Sequence, residues 1–124
     1  MIINKNSESY PNYHDYFLDS FVYNESLHSL SFKMNYDVTN YKKKFAFSYV
    51  YSFEFYCNDA WGVSPYVSCF FIQSANKEIL KNKLKKEYGQ YYDKKIDKAT
   101  EYVFEFSSGN KLVVLADELV VDDV

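Results

Sequence analysis

From Lys44 to Cys57 the chain reads KFAFSYVYSFEFYC, and its large side chains recur at every second position. Phe45, Phe47, Tyr49, Tyr51, Phe53, Phe55 and Cys57 fall on one side; Ala46, Ser48, Val50, Ser52, Glu54 and Tyr56 fall on the other. A period of two belongs to a pleated strand, whose successive side chains leave opposite faces. The six aromatic rings of the first set need a large apolar surface to cover them. The spacing therefore predicts that this strand is the spine of the fold and that its rings point inward.

The same alternation flanks it. Tyr16 to Tyr23 reads as a first strand, with Phe17, Phe21 and Tyr23 on the face that also carries Asp19. Asn24-Glu25-Ser26 is a turn signal. Leu27 to Val38 follows as a half-buried strand, with Leu30, Phe32, Met34, Tyr36 and Val38 on one side and Ser29, Ser31, Lys33, Asn35 and Asp37 on the other. These two strands should form a hairpin. After the spine, Asn58 to Pro65 is dense in turn formers and carries Trp61. A hairpin turning there would set Cys57 opposite Tyr66 and Cys69 opposite Glu54. Tyr66 to Gln73 is apolar on both faces and reads as a central strand. Glu101 to Phe106 alternates again, with Tyr102, Phe104 and Phe106 inward. Ser107-Ser108-Gly109-Asn110 is a hairpin turn; Lys111 to Leu115 is a strand, Ala116-Asp117-Glu118 a break, and Leu119 to Val121 a last short strand.

Between Lys77 and Tyr88 the period lengthens to that of a helix. Ile79, Leu80, Leu84 and Tyr88 make one stripe; Lys77, Lys81, Lys85 and Lys86 make the solvated remainder. Ser74 or Asn76 can cap its start, and Gly89 ends or kinks it. Tyr92, Ile96 and Ala99 continue at helical spacing and predict a short second helix. The fold class is thus α+β: a twisted antiparallel β-sheet of six to seven strands with one helix, about residues 77–88, packed on one face. A small sandwich with the helix at one end is the alternative. The whole chain, 1–124, reads as one domain, with 1–13 a loosely ordered arm.

Composition narrows function more than fold. The chain has 14 Tyr and 11 Phe, a formal net charge of −3, and no Arg. Lacking Arg's planar fork, it is poorly equipped to read phosphates or base edges, so no nucleic-acid partner is expected. Interface anchors, if any, must be Tyr, Phe or Trp. No cationic segment followed by an apolar run opens the chain, and no stretch approaches a membrane span. A cytoplasmic protein with no membrane partner is expected, and Cys57 and Cys69 should be reduced.

No cofactor, metal or reaction is predicted. His14 and His28 are the only histidines, and neither stands at a spacing that activates a nucleophile or holds zinc. His14 with Asp15 reads as a buried polar pair at a strand start, and His28 falls on an apolar face. Glu54 and Glu105 read as solvated carboxylates rather than an acid–base pair. The protein is not expected to be an enzyme. The final quarter is acidic, and Glu101, Glu105, Asp117, Glu118, Asp122 and Asp123 form the candidate electrostatic face for a partner, with Trp61 as a candidate anchor.

The segments HDYFLDSFVYNESLHSLSFKM, FAFSYVYSFEFYCNDAWG and YVFEFSSGNKLVVLADELVV, in that order, resemble a pattern in small bacterial immunity proteins of polymorphic and contact-dependent growth-inhibition toxin systems. The matching positions are His14, Asp15, Asn58, Trp61 and Gly62. The resemblance implies a non-catalytic protein that binds a cognate toxin domain and occludes its active site. An acidic face would suit the cationic cleft of a nuclease toxin, because opposite charge speeds encounter. The competing expectation is a small-ligand binding module with a pocket beneath the aromatic strand.

Overall fold

The computed structural model describes residues 1–36, 41–58 and 65–124. Among them are seven strands and one helix: β1 (Ile2–Ile3), β2 (Tyr16–Asn24), β3 (Ser29–Tyr36), β4 (Tyr41–Tyr56), β5 (Val67–Ile72), α1 (Leu80–Tyr88), β6 (Thr100–Phe106) and β7 (Lys111–Asp123). Short 3-10 turns flank the helix, at Ala75–Lys77, Gly89–Tyr91 and Lys94–Lys98. Every strand pairing is antiparallel, and the fold is α+β, as the alternation predicts.

The strands run β2-β3-β4-β7-β6-β5, with β1 beside β7. Two three-stranded meanders, β2-β3-β4 and β5-β6-β7, are thus joined through their last strands. This differs from the expected β4–β5 hairpin: β4 pairs with β3 and β7, and Cys69 sits opposite Glu105. The reason lies in the register. Opposite Phe45, Phe47, Phe53 and Phe55, β7 offers Val121, Leu119, Val114 and Leu112, an apolar partner for each ring. Cys57 and Cys69 are thiols, one exposed and one half-buried.

The sheet curls until its two edge strands meet. Phe17 of β2 bridges to Tyr66, and the Asp15 N–H donates to the Val67 carbonyl at 2.9 Å. Strand β5 is therefore an edge, not the centre its apolar pattern suggests. It is apolar on both faces because Val67 and Phe70 enter the interior while Phe71 packs under the helix. Inside the curl, rings from non-neighbouring strands touch: Phe32 of β3 lies edge-on to Phe104 of β6 at 5.5 Å, and Phe47 of β4 lies against Tyr102 of β6 at 5.2 Å. Fully burying one such ring contributes about 1.5–3 kcal/mol.

Residues 1–13 are not a loose arm. Ile2 and Ile3 pair with Val120 and Leu119, beyond the point where β6 has ended, and Ile3 is fully buried. Tyr13 is buried as well, with its ring 4.8 Å from Phe45 and 5.6 Å from Phe70, so the arm plugs the curl between β4 and β5. Burial pushes its phenol up to about 12. The Tyr10 hydroxyl accepts from the Ile72 N–H at 3.0 Å on the edge of β5. These apolar residues were too sparse among polar neighbours to show a period.

The helix covers the outer face of the second meander. Leu80, Ile96 and Ala99 pack on Val103, Val113 and Leu115. Its start is not capped by Ser74 or Asn76, whose side chains bond each other. The cap comes from β6: the Glu101 carboxylate accepts from the N–H groups of Ile79 (2.7 Å), Leu80 and Lys81 (3.4 Å). A carboxylate satisfies the orphan donors of a first turn and suits the positive end of the helix dipole. Lys81, expected in solvent, is buried, with its ammonium bonded to Glu78 (2.7 Å) and to the carbonyls of Asp97 (3.2 Å) and Ala99 (3.0 Å). Gly89 ends the helix at φ 54, a backbone state that side chains disfavour. The predicted second helix is the 3-10 turn Lys94–Lys98, with Ile96 and then Ala99 buried as the spacing requires.

Candidate functional site

The long alternation of β4 does not survive its middle. Phe45 and Phe47 are interior, but at Tyr49 the backbone turns to φ 51, and Val50 takes the next interior position. The pairing with β7 then shifts by one residue between Val50 and Ser52, so that Tyr51 becomes the extra residue of a bulge. Strand β7 bends with it. Leu119 and Val121 face inward from one side of Asp117, and Ala116, Val114 and Leu112 from the other. The expected break at Ala116-Asp117-Glu118 is thus a change of parity inside one continuous strand of 13 residues. Its effect is to turn Tyr49 and Tyr51 outward, where the sequence predicted inward rings.

Around this bend the outer surface is made of tyrosine and lysine. The ring of Tyr49 lies 5.2 Å from that of Tyr51 and stacks on His28 at 5.1 Å. His28 is itself at φ 49, exposed at the end of the β2–β3 turn rather than on an apolar face, and its carbonyl accepts from the Val50 N–H at 2.7 Å. Tyr51 borders two hollows. One, of about 580 Å³, is edged by Lys94, Lys95, Lys98 and Asp117. The other, of about 280 Å³, lies between Leu84, Ile96 and the tyrosines Tyr88, Tyr91 and Tyr92.

Burial and hydrogen bonding keep the phenols of this surface protonated. Partial burial, then the hydrogen bond it donates to Asp117, push the Tyr51 phenol up to about 12. Tyr92 is raised by burial and by the bond its hydroxyl donates to Asp97 at 2.9 Å. That same bond, with Lys85 at 3.3 Å, holds the Asp97 carboxyl below its usual range. At neutral pH both phenols are protonated donors. They offer hydrogen bonds and ring faces, not a base.

The sequence-predicted face does not assemble as one patch. Trp61 lies outside the described residues, as do Gly62 and Val38. Glu101 is only 1% exposed and is spent on the helix start, so it cannot meet a partner. Glu105 stands at one end of β7, opposite Lys111. Asp122 and Asp123 stand near the other end, opposite Lys44 and Lys43, and Asp123 is 2.7 Å from the Lys43 ammonium. Of the six carboxylates, Asp117 alone belongs to the Tyr51 surface, while Glu118, its half-buried neighbour in β7, faces Ser48. His14 and Asp15, expected to be buried, are an exposed pair 3.1 Å apart. Glu54 is paired with Lys83 of α1, and its carboxyl is lowered by that bond. Among the described residues no three or more His, Cys, Asp or Glu side chains gather to hold a metal ion.

Tyr49, Tyr51, Tyr88, Tyr91 and Tyr92 were missed as site residues, while the lysines after them fall in the Lys77 to Lys98 stretch, whose cationic face reads from the sequence as solvated helix surface or as a contact for an acidic partner. The available signal was the run EYGQYYDKK, which sets three tyrosines and two lysines within nine residues and has only one glycine to break it. Among the described residues no helix is long and apolar enough to cross a membrane. Comparison of the chain with protein-family models, with curated proteins and with solved structures gave no match.

Proposed function

We propose that the chain is a binding protein of the immunity type, which seats a cognate toxin domain on the Tyr51 surface and neutralises it by covering its active site. The observation that carries this reading is the exposure of large amphipathic rings on neighbouring regular elements. Tyr49, Tyr88 and Tyr91 are 50%, 52% and 81% exposed, on a strand, a helix and the turn after it. Tyrosine offers wide contact area with few torsions to freeze, and rigid presentation lowers the entropy lost on docking. The step from protein binding to toxin neutralisation is supported by the order of the three aromatic segments in the sequence.

The charge argument for a nuclease partner loses its footing, because Glu101 is inside and Asp122 and Asp123 face lysines. A small ligand beneath β4 has little support either, since Phe32, Phe45, Phe47 and Phe104 fill that interior with ring contacts between 5.3 and 6.4 Å.

Identifying the genes beside this chain's own, and coexpressing the chain with any toxin domain they encode, tests the reading. The expected result is growth rescue and a complex that copurifies, both lost on Tyr51→Ala with Tyr91→Ala while the thermal unfolding midpoint of the variant stays within a few degrees. A toxin that kills equally with or without this chain, and forms no complex with it, overturns the reading.

A further inference from the structure

The two hollows that meet at Tyr51 differ in chemistry, and together they specify what kind of segment fits. The larger is bordered by Lys94, Lys95 and Lys98. These project from a 3-10 turn that is firmly held: Asp93 accepts the Lys95 N–H at 3.0 Å, and Ile96 and Ala99 anchor it in the outer core. Among the described residues four lysines are ion-paired, Lys43 with Asp123, Lys81 with Glu78, Lys83 with Glu54 and Lys85 with Asp97, and the others, Lys94, Lys95 and Lys98 included, stand without such a pair. The one carboxylate in their hollow, Asp117, is engaged by the Tyr51 hydroxyl. Three ammonium groups thus face an open space of about 580 Å³ with one carboxylate among them, an excess of positive charge. The smaller hollow has an apolar floor, Leu84 and Ile96, walled by phenol rings.

We propose that this surface takes an acidic peptide segment of the partner, with a bulky aromatic or aliphatic side chain entering the tyrosine hollow and its flanking carboxylates meeting Lys94, Lys95 and Lys98. The inference rests on the reading that the Tyr51 surface binds protein. An anchor in an apolar hollow supplies most of the affinity, and unpaired rim charge supplies direction and speed of encounter. A single strand of nucleic acid also combines rings and negative charge, but it carries a charge on every nucleotide, more than three lysines set beside Asp93 and Asp117 can balance, whereas a peptide can bring an apolar anchor with only a few carboxylates.

The experiment is a titration of the intact chain with three fluorescent peptides and an oligothymidylate, read by anisotropy and by backbone amide shifts. One peptide has Asp and Glu flanking a Phe, one has Lys in place of the acids, and one keeps the acids but replaces Phe by Ala. The acidic Phe peptide should bind best, with shifts confined to Tyr51, Leu84, Tyr88 and residues 94–98. The charge reversal K94E/K95E/K98E should weaken it by about tenfold or more, as loss of steering charge does. Equal binding of the lysine peptide, tighter binding of the oligothymidylate, indifference to the charge reversal, or absence of binding at millimolar peptide each overturns the inference. A toxin complex that forms but ignores both K94E/K95E/K98E and excess acidic peptide overturns this inference alone. Peptide binding at these residues with no toxin complex overturns the toxin reading alone.

Discussion

The two halves of β4 carry the same alternation of aromatics and meet opposite fates. In the first half, Tyr41 to Phe47, the strand lies between β3 and β7, and Phe45 and Phe47 are sealed inside. In the second half β3 no longer runs alongside, and Tyr49, Phe55 and Tyr56 are exposed. The difference is one of neighbours before it is one of residues. A ring with strands on both sides and a curled sheet opposite becomes core, whereas one beside a bend becomes surface. Residue type follows that division only near the bend, where Phe45 and Phe47 are sealed and the phenols Tyr49 and Tyr51 turn outward toward Asp117 or water; further on, Phe55 is exposed although it is a phenyl ring.

Truncation breaks the comparison most sharply. Phe47→Ala should cost about 3–5 kcal/mol in urea unfolding, the range for emptying a packed aromatic site. Tyr49→Gly, two residues on, should be neutral or stabilising by up to about 1 kcal/mol, because glycine relieves the strain of φ 51. In an ordinary strand interior glycine destabilises, so a loss of more than about 1 kcal/mol at Tyr49 would show that the bend is not built as described.

A middle-sized effect loosens the outer layer while leaving the inner rings alone. Glu101→Gln keeps the shape of the cap but removes its charge and one acceptor, at an expected cost of about 1–3 kcal/mol. Amide exchange should accelerate in Leu80–Tyr88 and not in β3. Uniform acceleration across both would mean the helix is not a separable layer.

The smallest effect is in alkali. Tyr13 and Tyr51 are both raised from 10.0 to about 12 in the folded protein. A raised phenol contributes stability that is whole below pH 10 and is lost as pH climbs through 12. Phenolate absorbance should therefore show late-titrating groups, of which one disappears in Tyr51→Phe while the signals of Tyr13 and of Tyr56, likewise raised to about 12, remain. An unchanged titration in that variant would remove the Tyr51–Asp117 bond from the site.

The sheet, its antiparallel pairing and the helix were legible because each rests on a period that a dozen residues repeat. The site was not, because it arises where the period fails. Nothing in SYVYSF announces that Val50 will replace Tyr49 inside, since Val and Tyr are both good strand residues. Pairing was equally hidden: β4 could choose β5, its successor, or β7, more than fifty residues away, and only the register of apolar pairs decided. Glu101 misled for a related reason. Its alternation correctly placed it on the outer face, but that face lies under the first turn of α1, so a carboxylate assigned to solvent became a cap. Ile3 and Tyr13 escaped notice because a plug needs single residues rather than a pattern.

The meeting of Phe17 with Tyr66 has a bearing on how the protein behaves in a crowded solution. Open sheets invite copies of themselves to add strand upon strand, and fibres grow from such borders. Here one border is fastened against the other at that seam, and just past it Asp19 interrupts the register of β2. A charged irregularity at that place leaves an incoming strand a poor template. A chain with so many rings and so few glycines or prolines can in this way stay dispersed without diluting its aromatic content.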